Sequence, residues 1–323
     1  MHPAFSVILL TTLLGVGQGL FLALFSSQAY SVVDVLPAQS GSFYALGAFI
    51  ALLFLIGGLI ASFFHLGHPE RAWRAAAMWR TSWLSREVIA LPVVMGAIAL
   101  YALVNWLSLD ADLYGLGIPG QVALSVGAFG VVATIALFAC TAMIYAAIKF
   151  LQEWASPLTL ANYFLLGTAS GFSFATAYAA LNAPALMPFF GGWAITLTVA
   201  GLLTRVASLY RNARIRQKSS VQTAIGVRHN KVRQGSMGMM GGAYNTREYF
   251  HGRTLAFLKS VKWLFLTLVV PIPLLLLWAG LAQDSAGLLM LAFGVQYVGL
   301  LFERWFFFAQ ANHPQNLYYQ VVG

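Results

Sequence analysis

Charge is scarce in this chain. Only 8% of its 323 residues are Asp, Glu, Lys or Arg, while 60% are hydrophobic and the mean hydropathy is +0.77. A water-soluble domain carries roughly a quarter charged residues, so a soluble globule is excluded and an integral membrane protein is indicated. Cysteine is rarer still. The single Cys140 lies in an apolar segment, so the chain can form neither an internal disulfide nor, by itself, a cysteine-ligated iron–sulfur cluster. No Lys or Arg precedes the first apolar run, and that run is too long for a cleavable signal peptide, so it reads as a retained span.

Histidine is missing where haem would need it. His2, His65, His68, His229, His251 and His313 all lie at or beyond the ends of the apolar runs, whereas a b-type haem requires paired histidines on facing helices at membrane depth. The composition therefore argues against haem in this chain. His65 and His68 with Glu70 make a poor metal set, because Pro69 interrupts the spacing and no cysteine assists; no metal site is assigned. The interiors of the apolar runs offer Gln18, Asn105, Asn162, Gln296 and some hydroxyls but no central Asp, Glu, Lys or Arg, which argues against an ion or proton transporter.

What is present is a set of eight apolar segments, near 5–30, 42–64, 87–107, 122–148, 159–181, 191–210, 256–281 and 285–308, each long enough to cross a bilayer as a helix. The expected fold is an all-α integral membrane protein of eight transmembrane helices in one membrane domain, 1–323. Two four-helix bundles are expected within it: 1–149 with an interfacial helix at 69–84, and 150–323 with a docking loop at 211–255. The loops near 31–41, 108–121, 182–190 and 282–284 contain no Lys or Arg and carry Asp34, Asp110, Asp112 and Asp284. All 18 basic residues fall on the opposite side, which the positive-inside rule makes cytoplasmic along with both termini. The net charge of +9 thus has a topological origin, and nucleic acid is not needed to explain it. GVGQG (15–19) and GTASG (167–171) place small residues four apart, a spacing that lets helices approach closely.

The stretch FFHLGHPERAWRAAAMWRTSWLSREV (63–88) concentrates charge between two spans. His65 ends the second span, Gly67 permits a sharp turn and Pro69 suits the first turn of a new helix, in which Glu70 can pair with Arg74. Trp73, Trp79 and Trp83 are the aromatics expected at headgroup depth. Ser85 suits the N-cap of span three, with Glu87 in its first turn at the hydrocarbon edge. A histidine near its working pKa, a carboxylate and an arginine at a membrane edge are the parts needed to exchange protons with a lipid-soluble quinone. His65 taken alone fits equally well a helix cap or a snorkelling group, and interfacial arginine equally well topology.

FHLGHPERAWRA…SWLSRE resembles the membrane anchor subunits of molybdenum oxidoreductases of the dimethyl sulfoxide reductase kind, the DmsC family. The start MHPAFSVILLTT, the loop segment GGAYNTREYFHG and the terminal ERWFFFAQANHPQNLYYQ are most similar to its sulfite dehydrogenase branch, the SoeC type. The resemblance implies an anchor without haem or cluster of its own, exchanging electrons with quinone as a diffusible substrate. Its partners would be a molybdopterin catalytic subunit and a four-cluster, ferredoxin-like iron–sulfur subunit on the cytoplasmic side of the bacterial inner membrane. His65, Gly67, Arg71 and Glu87 match the family's quinone-site residues, with His65 and Glu87 as the proton-transferring pair. Arg86, Glu303 and Arg304 join the quinone-binding set, the last two as an acid–base pair at the end of the final span. Arg247, Tyr249, Phe250 and His251 are the expected contacts to the iron–sulfur subunit. The alternatives are a quinol-oxidising anchor of a sulfoxide or related reductase and, outside the family, a transporter or a polysulfide-reductase-like proton pump.

Overall fold

The computed structural model describes residues 1–111, 113–115, 120–218, 220–229, 231–232 and 249–314. Eight helical segments in it are long and apolar enough to span a membrane. They are α1 (Phe5–Val32), α2 (Gly41–Phe63), α3 (Trp83–Trp106), α4 (Gln121–Ala146), α5 (Pro157–Asn182), α6 (Met187–Ala213), the paired α7 (Leu255–Val269) and α8 (Pro271–Ala282), and α9 (Ala286–Ala309). The helix starts are written in the sequence. Ser40, Ser82, Ser156, Thr254 and Ser285 stand at N-caps, and each side chain accepts a backbone N–H of the first turn that the helix itself leaves unpaired.

The seventh span is broken. The run expected as one helix over 256–281 divides at Val270, because Pro271 has no N–H to give to the preceding turn and its ring crowds the carbonyl there. Pro271 therefore opens a second helix. The interfacial segment is also shorter than expected: a 3-10 helix covers Pro69–Met78 with no buried residue, and α3 begins at Trp83.

Burial identifies the centre of the bundle. About 72% of the most apolar stretch of α1 and of α5 is buried, against 33–39% for the other spans, so these two helices form the axis on which the rest pack. The two glycine motifs make that axis. A Cβ on Gly15 would lie 3.1 Å from the Gly167 Cα, one on Gly19 2.7 Å from the Gly167 carbonyl oxygen, and one on Gly171 would overlap the Gly19 carbonyl carbon. Only glycine permits backbones this close, and the contact joins the first four spans to the last four. The outward faces carry Phe49, Trp106, Phe129, Val132 and Trp278, all exposed, as lipid-facing side chains are.

Neutral polar residues act as interhelix ties. Gln296 on α9 accepts from Ser173 of α5 at 2.6 Å and donates to Thr198 of α6 at 2.9 Å. Gln28 on α1 donates to Asn105 at 2.8 Å and accepts from Tyr101 at 2.5 Å, both on α3. Gln296 is buried in the middle of α9, where its amide must pair within the protein, and both sets of bonds tie neighbouring helices together.

Candidate functional site

The chain leaves α2 through successive tight turns: the His65 N–H reaches the Ser62 carbonyl at 3.4 Å and the Leu66 N–H the Phe63 carbonyl at 3.3 Å. Gly67 follows with open space around it and outside the left-handed region, so the reversal is made by these turns and by Pro69 at the start of the 3-10 helix. The turn does not need that glycine. His65 is exposed, yet partial desolvation holds its pKa below the usual histidine value. Glu70 pairs with the His68 Nδ1 at 3.1 Å and the Arg71 Nε at 3.6 Å rather than with Arg74. All three side chains are more than half exposed, so these pairs organise the surface and stabilise it little.

Arg86 has a distinct role. Its Nε donates to the Trp79 carbonyl at 2.9 Å and its Nη2 to the Arg80 carbonyl at 2.8 Å, while its guanidinium lies 4.1 Å from the Trp83 ring centroid. It thereby closes the free carbonyl end of the interfacial segment onto α3. Arg86 and Trp79 also stand at one end of an apolar cleft of about 210 Å³ between α3 and α4, lined by Ile89, Ala90, Val93, Ala133 and Ala136.

Glu87 sits deeper than its sequence context suggests. The N-cap of α3 is Ser82, not Ser85, so Glu87 is the fifth helical residue and lies outside the first turn. At 7% exposure it is turned into the α3–α4 contact, where Thr141 Oγ1 donates to its Oε1 at 2.6 Å. Among the described residues, no hydrogen bond or ion pair joins His65, Arg71 and Glu87 to one another.

Glu303 and Arg304 lie elsewhere, within the bundle, and they have a partner whose charge, in the sequence, signals only topology. Arg205 of α6 places Nε 2.9 Å from Glu303 Oε1, and Arg304 Nη1 lies 2.9 Å from Glu303 Oε2, all three side chains being 4% exposed or less. Neither contact has the directionality of a hydrogen bond, so the charges pair while Arg205 Nε and Nη2, both Glu303 oxygens and Arg304 Nη1 have no hydrogen-bond partner in the protein. Arg304 covers the Tyr163 ring of α5 at 3.7 Å, and Arg205 lies near the rings of Phe265 and Phe306 at 5.3 and 5.8 Å. One signal could have revealed Arg205: it is the single cation within the α6 run TLTVAGLLTRVASLY, two turns before the helix ends.

Of the expected docking residues, Arg247 lies outside the described residues. Tyr249, Phe250 and His251 fold back onto the end of α9: the Tyr249 ring stacks on His313 with centroids 3.8 Å apart, Phe250 packs on His251 at 4.7 Å, and His251 approaches Trp305 at 6.5 Å. Desolvation, and secondarily the charge of the Met1 ammonium, lower the pKa of His251 and of His313. That ammonium donates to the Ala311 carbonyl at 2.8 Å. Nearby, the buried Glu153 accepts from Gln217 at 2.9 Å and from Asn312 at 3.3 Å. The N-terminus, the α4–α5 connection, the start of the long loop and the C-terminal segment thus meet at one surface.

Among the described residues, no group of three or more His, Cys, Asp or Glu is close enough to hold a metal ion. The described residues offer instead an apolar cleft between α3 and α4, a buried carboxylate in the contact of the same two helices and, elsewhere in the bundle, a buried ion group.

A family model described as the DMSO reductase anchor subunit (DmsC) matches residues 1–319. A sulfite dehydrogenase subunit of Allochromatium vinosum is 57% identical over 325 residues, covering the whole of both chains. A multi-pass membrane chain whose full length follows that pattern is a subunit of an oxidoreductase complex, and it belongs to the DmsC family of membrane anchor subunits.

Proposed function

We propose that this chain anchors a molybdopterin catalytic subunit and a four-cluster, ferredoxin-like iron–sulfur subunit on the cytoplasmic face of the bacterial inner membrane, and passes electrons from sulfite oxidation to quinone. The observation that carries this reading is the full-length identity of 57% to a sulfite dehydrogenase subunit. The even number of spans and the confinement of all basic residues to one face support the orientation.

In this reading the quinone tail lies in the α3–α4 cleft, which Arg86 and Trp79 line, and its headgroup reaches toward the segment between α2 and α3 that carries His65 and Arg71. Reduction of the quinone takes two electrons from the partner's clusters and two protons, giving the quinol. His65 hydrogen-bonds one carbonyl, Arg71 polarises it, and Glu87 carries a proton to the oxygen as charge develops there. The reducible ring needs protons where its electrons arrive, so electrons and protons come from the same side and turnover moves no net charge across the bilayer. The family description favours a second reading, a quinol-oxidising anchor of a sulfoxide reductase, which runs the same proton steps in reverse.

The test is purification of the chain from its native membrane with its partners, followed by assay of sulfite-dependent quinone reduction. Co-purifying molybdopterin and iron–sulfur subunits with sulfite-to-quinone activity support the proposal. A complex that reduces sulfoxides with quinol and does not oxidise sulfite supports the second reading. Labelling of a cysteine introduced into the loop 211–255, in intact and broken cells, checks the orientation.

A further inference from the structure

Glu87 poses a problem of access. Any role in supplying protons to a quinone requires that it be reprotonated between turnovers, yet it is 7% exposed and its hydrogen-bond partner is the Thr141 hydroxyl. From Thr141 the polar groups continue toward the basic end of α4 and across the bundle. Tyr145 is one helical turn further along α4, on the same face, and its ring stacks on Tyr163 of α5 with centroids 5.8 Å apart. Tyr163 lies under the Arg304 guanidinium at 3.7 Å, and Arg304 leads through Glu303 to Arg205.

Helix positions put these groups near the helix ends that face the basic side, Tyr145 in the last turn of α4. Glu87 is about 6 Å inside the start of α3, Glu303 about 9 Å inside the end of α9 and Arg205 about 12 Å inside the end of α6, all at the ends facing the basic side. The row therefore runs sideways through the bundle, from α3 through α4, α5 and α9 to α6. Buried ionisable groups are costly in a membrane protein, and such groups mark functional pathways by default. Tyr163 adds the second observation: its hydroxyl is fully buried and has no hydrogen-bond partner in the protein, like five nitrogen and oxygen atoms of the adjoining ion group. Buried polar atoms are rarely left so, and internal water is what normally pairs them. A cavity of about 10 Å³ touching Arg205 and Glu303 is at the lower limit of what one water occupies.

We propose that Tyr163, Tyr145 and Thr141 form an internal hydroxyl relay that reprotonates Glu87, with the Arg304–Glu303–Arg205 group as its electrostatic support. This rests on Glu87 serving quinone. In each transfer Glu87 gives its proton to the reduced quinone oxygen. The Thr141 hydroxyl then gives its proton to the Glu87 carboxylate and takes one from Tyr145, which takes one from Tyr163. Water at the ion group refills Tyr163 and recovers its own proton by exchange with the aqueous phase on the basic side, which is the net proton donor. No bond other than O–H bonds changes, and the electrons come from the partner's clusters. Arg304, over the ring face, stabilises the charge left on Tyr163 as its proton departs. Glu303 balances Arg304, and Arg205 holds Glu303. The charged and titratable groups within electrostatic reach of Glu87 are Arg86 on its own helix, Cys140 and Tyr145 on α4, and Tyr163 on α5.

The experiment uses the whole complex in its native membranes, with Tyr163→Phe and Tyr145→Phe prepared separately. Each removes one hydroxyl and keeps the ring that packs against Trp154, Phe307 and Phe308. Measured are subunit retention, reduction of a soluble dye by the catalytic subunits, and quinone reduction across pH in H2O and D2O. The relay predicts normal retention and dye reduction, quinone turnover lowered roughly 10-fold or more, a larger loss at alkaline pH where protons are scarce, and a larger solvent isotope effect. A purely structural role for these tyrosines would not move the isotope effect. Wild-type quinone turnover and pH profile in either assembled variant overturns the relay. Should Tyr163→Phe fail to assemble, Tyr145→Phe decides. Glu87→Gln in the same membranes separates the two levels: full quinone turnover there sinks the role of Glu87, whereas loss there with normal tyrosine variants sinks the relay alone.

Discussion

Thr141 on α4 donates a 2.6 Å hydrogen bond to the Glu87 carboxylate on α3, in a contact almost closed to solvent. This pairing converts a residue that reads as a surface carboxylate at a helix start into an interior acid facing a neighbouring helix. It also sets what substitutions there will do.

Glu87→Gln keeps a hydrogen-bond acceptor for Thr141 and loses only the ability to exchange a proton. Assembly and dye reduction should be unchanged while quinone turnover falls about 10²-fold, the contribution of a positioned acid or base. Parallel assay of dye and quinone reduction in one membrane preparation checks it; equal loss of both would mean that the variant is misassembled.

His65→Ala should cut quinone reduction and spare dye reduction. Because desolvation holds the folded pKa of His65 below the usual histidine value, any step needing the imidazolium slows as pH rises through that lowered value. His65→Gln should remove this arm of the pH profile. An unchanged profile would assign the titration to another group.

Gly67→Ala and Gly171→Ala should behave oppositely. A Cβ at Gly171 runs into the Gly19 backbone, so that variant must force α1 from α5 and lower the thermal stability of the detergent-solubilised protein. A Cβ at Gly67 meets nothing within 4 Å and the backbone there is not left-handed, so stability should be unaltered. Loss of quinone activity in a stable Gly67→Ala protein would place the demand for glycine in ligand or partner contact.

Arg205→Met leaves Glu303 with one cation, and Glu303→Gln leaves two cations buried without their carboxylate. Removing one member of a buried ion pair typically costs about 3–5 kcal/mol. The double variant Arg205→Met/Glu303→Gln should cost less than the sum, and a thermal-unfolding double-mutant cycle measures the coupling. Additive losses would show that the two residues act independently.

The stack of Tyr249 on His313 should loosen in acid. Both His251 and His313 have folded pKa values lowered by desolvation first and the Met1 ammonium second. Such groups stabilise the fold-back above their unfolded pKa, and that contribution is lost as pH falls below 6.5 through the lowered folded values. Hydrogen exchange of residues 249–253 at pH 7 and pH 5 reads this out. His313→Gln should blunt the difference.

Membrane class, the eight spans and, through Ser and Thr caps, most helix starts are legible in the amino-acid order, because they depend on local hydropathy and on unpaired backbone groups of the first turn. Both glycine motifs are equally plain there, as is each acid and base that the bundle encloses. Which residues face one another is settled by helix packing alone. Ser82 and Ser85 are both plausible caps on local chemistry, and the choice between them sets whether Glu87 lies at the edge or in the α3–α4 contact. Arg205 is 98 residues from Glu303 along the chain, and their 2.9 Å pairing exists because α6 and α9 both pack on α5. Hydropathy measures the transfer of each segment from water to lipid, one helix at a time. The close approach of α1 to α5 through glycine, and the charges that the bundle then encloses, are properties of pairs of helices, which no single segment encodes.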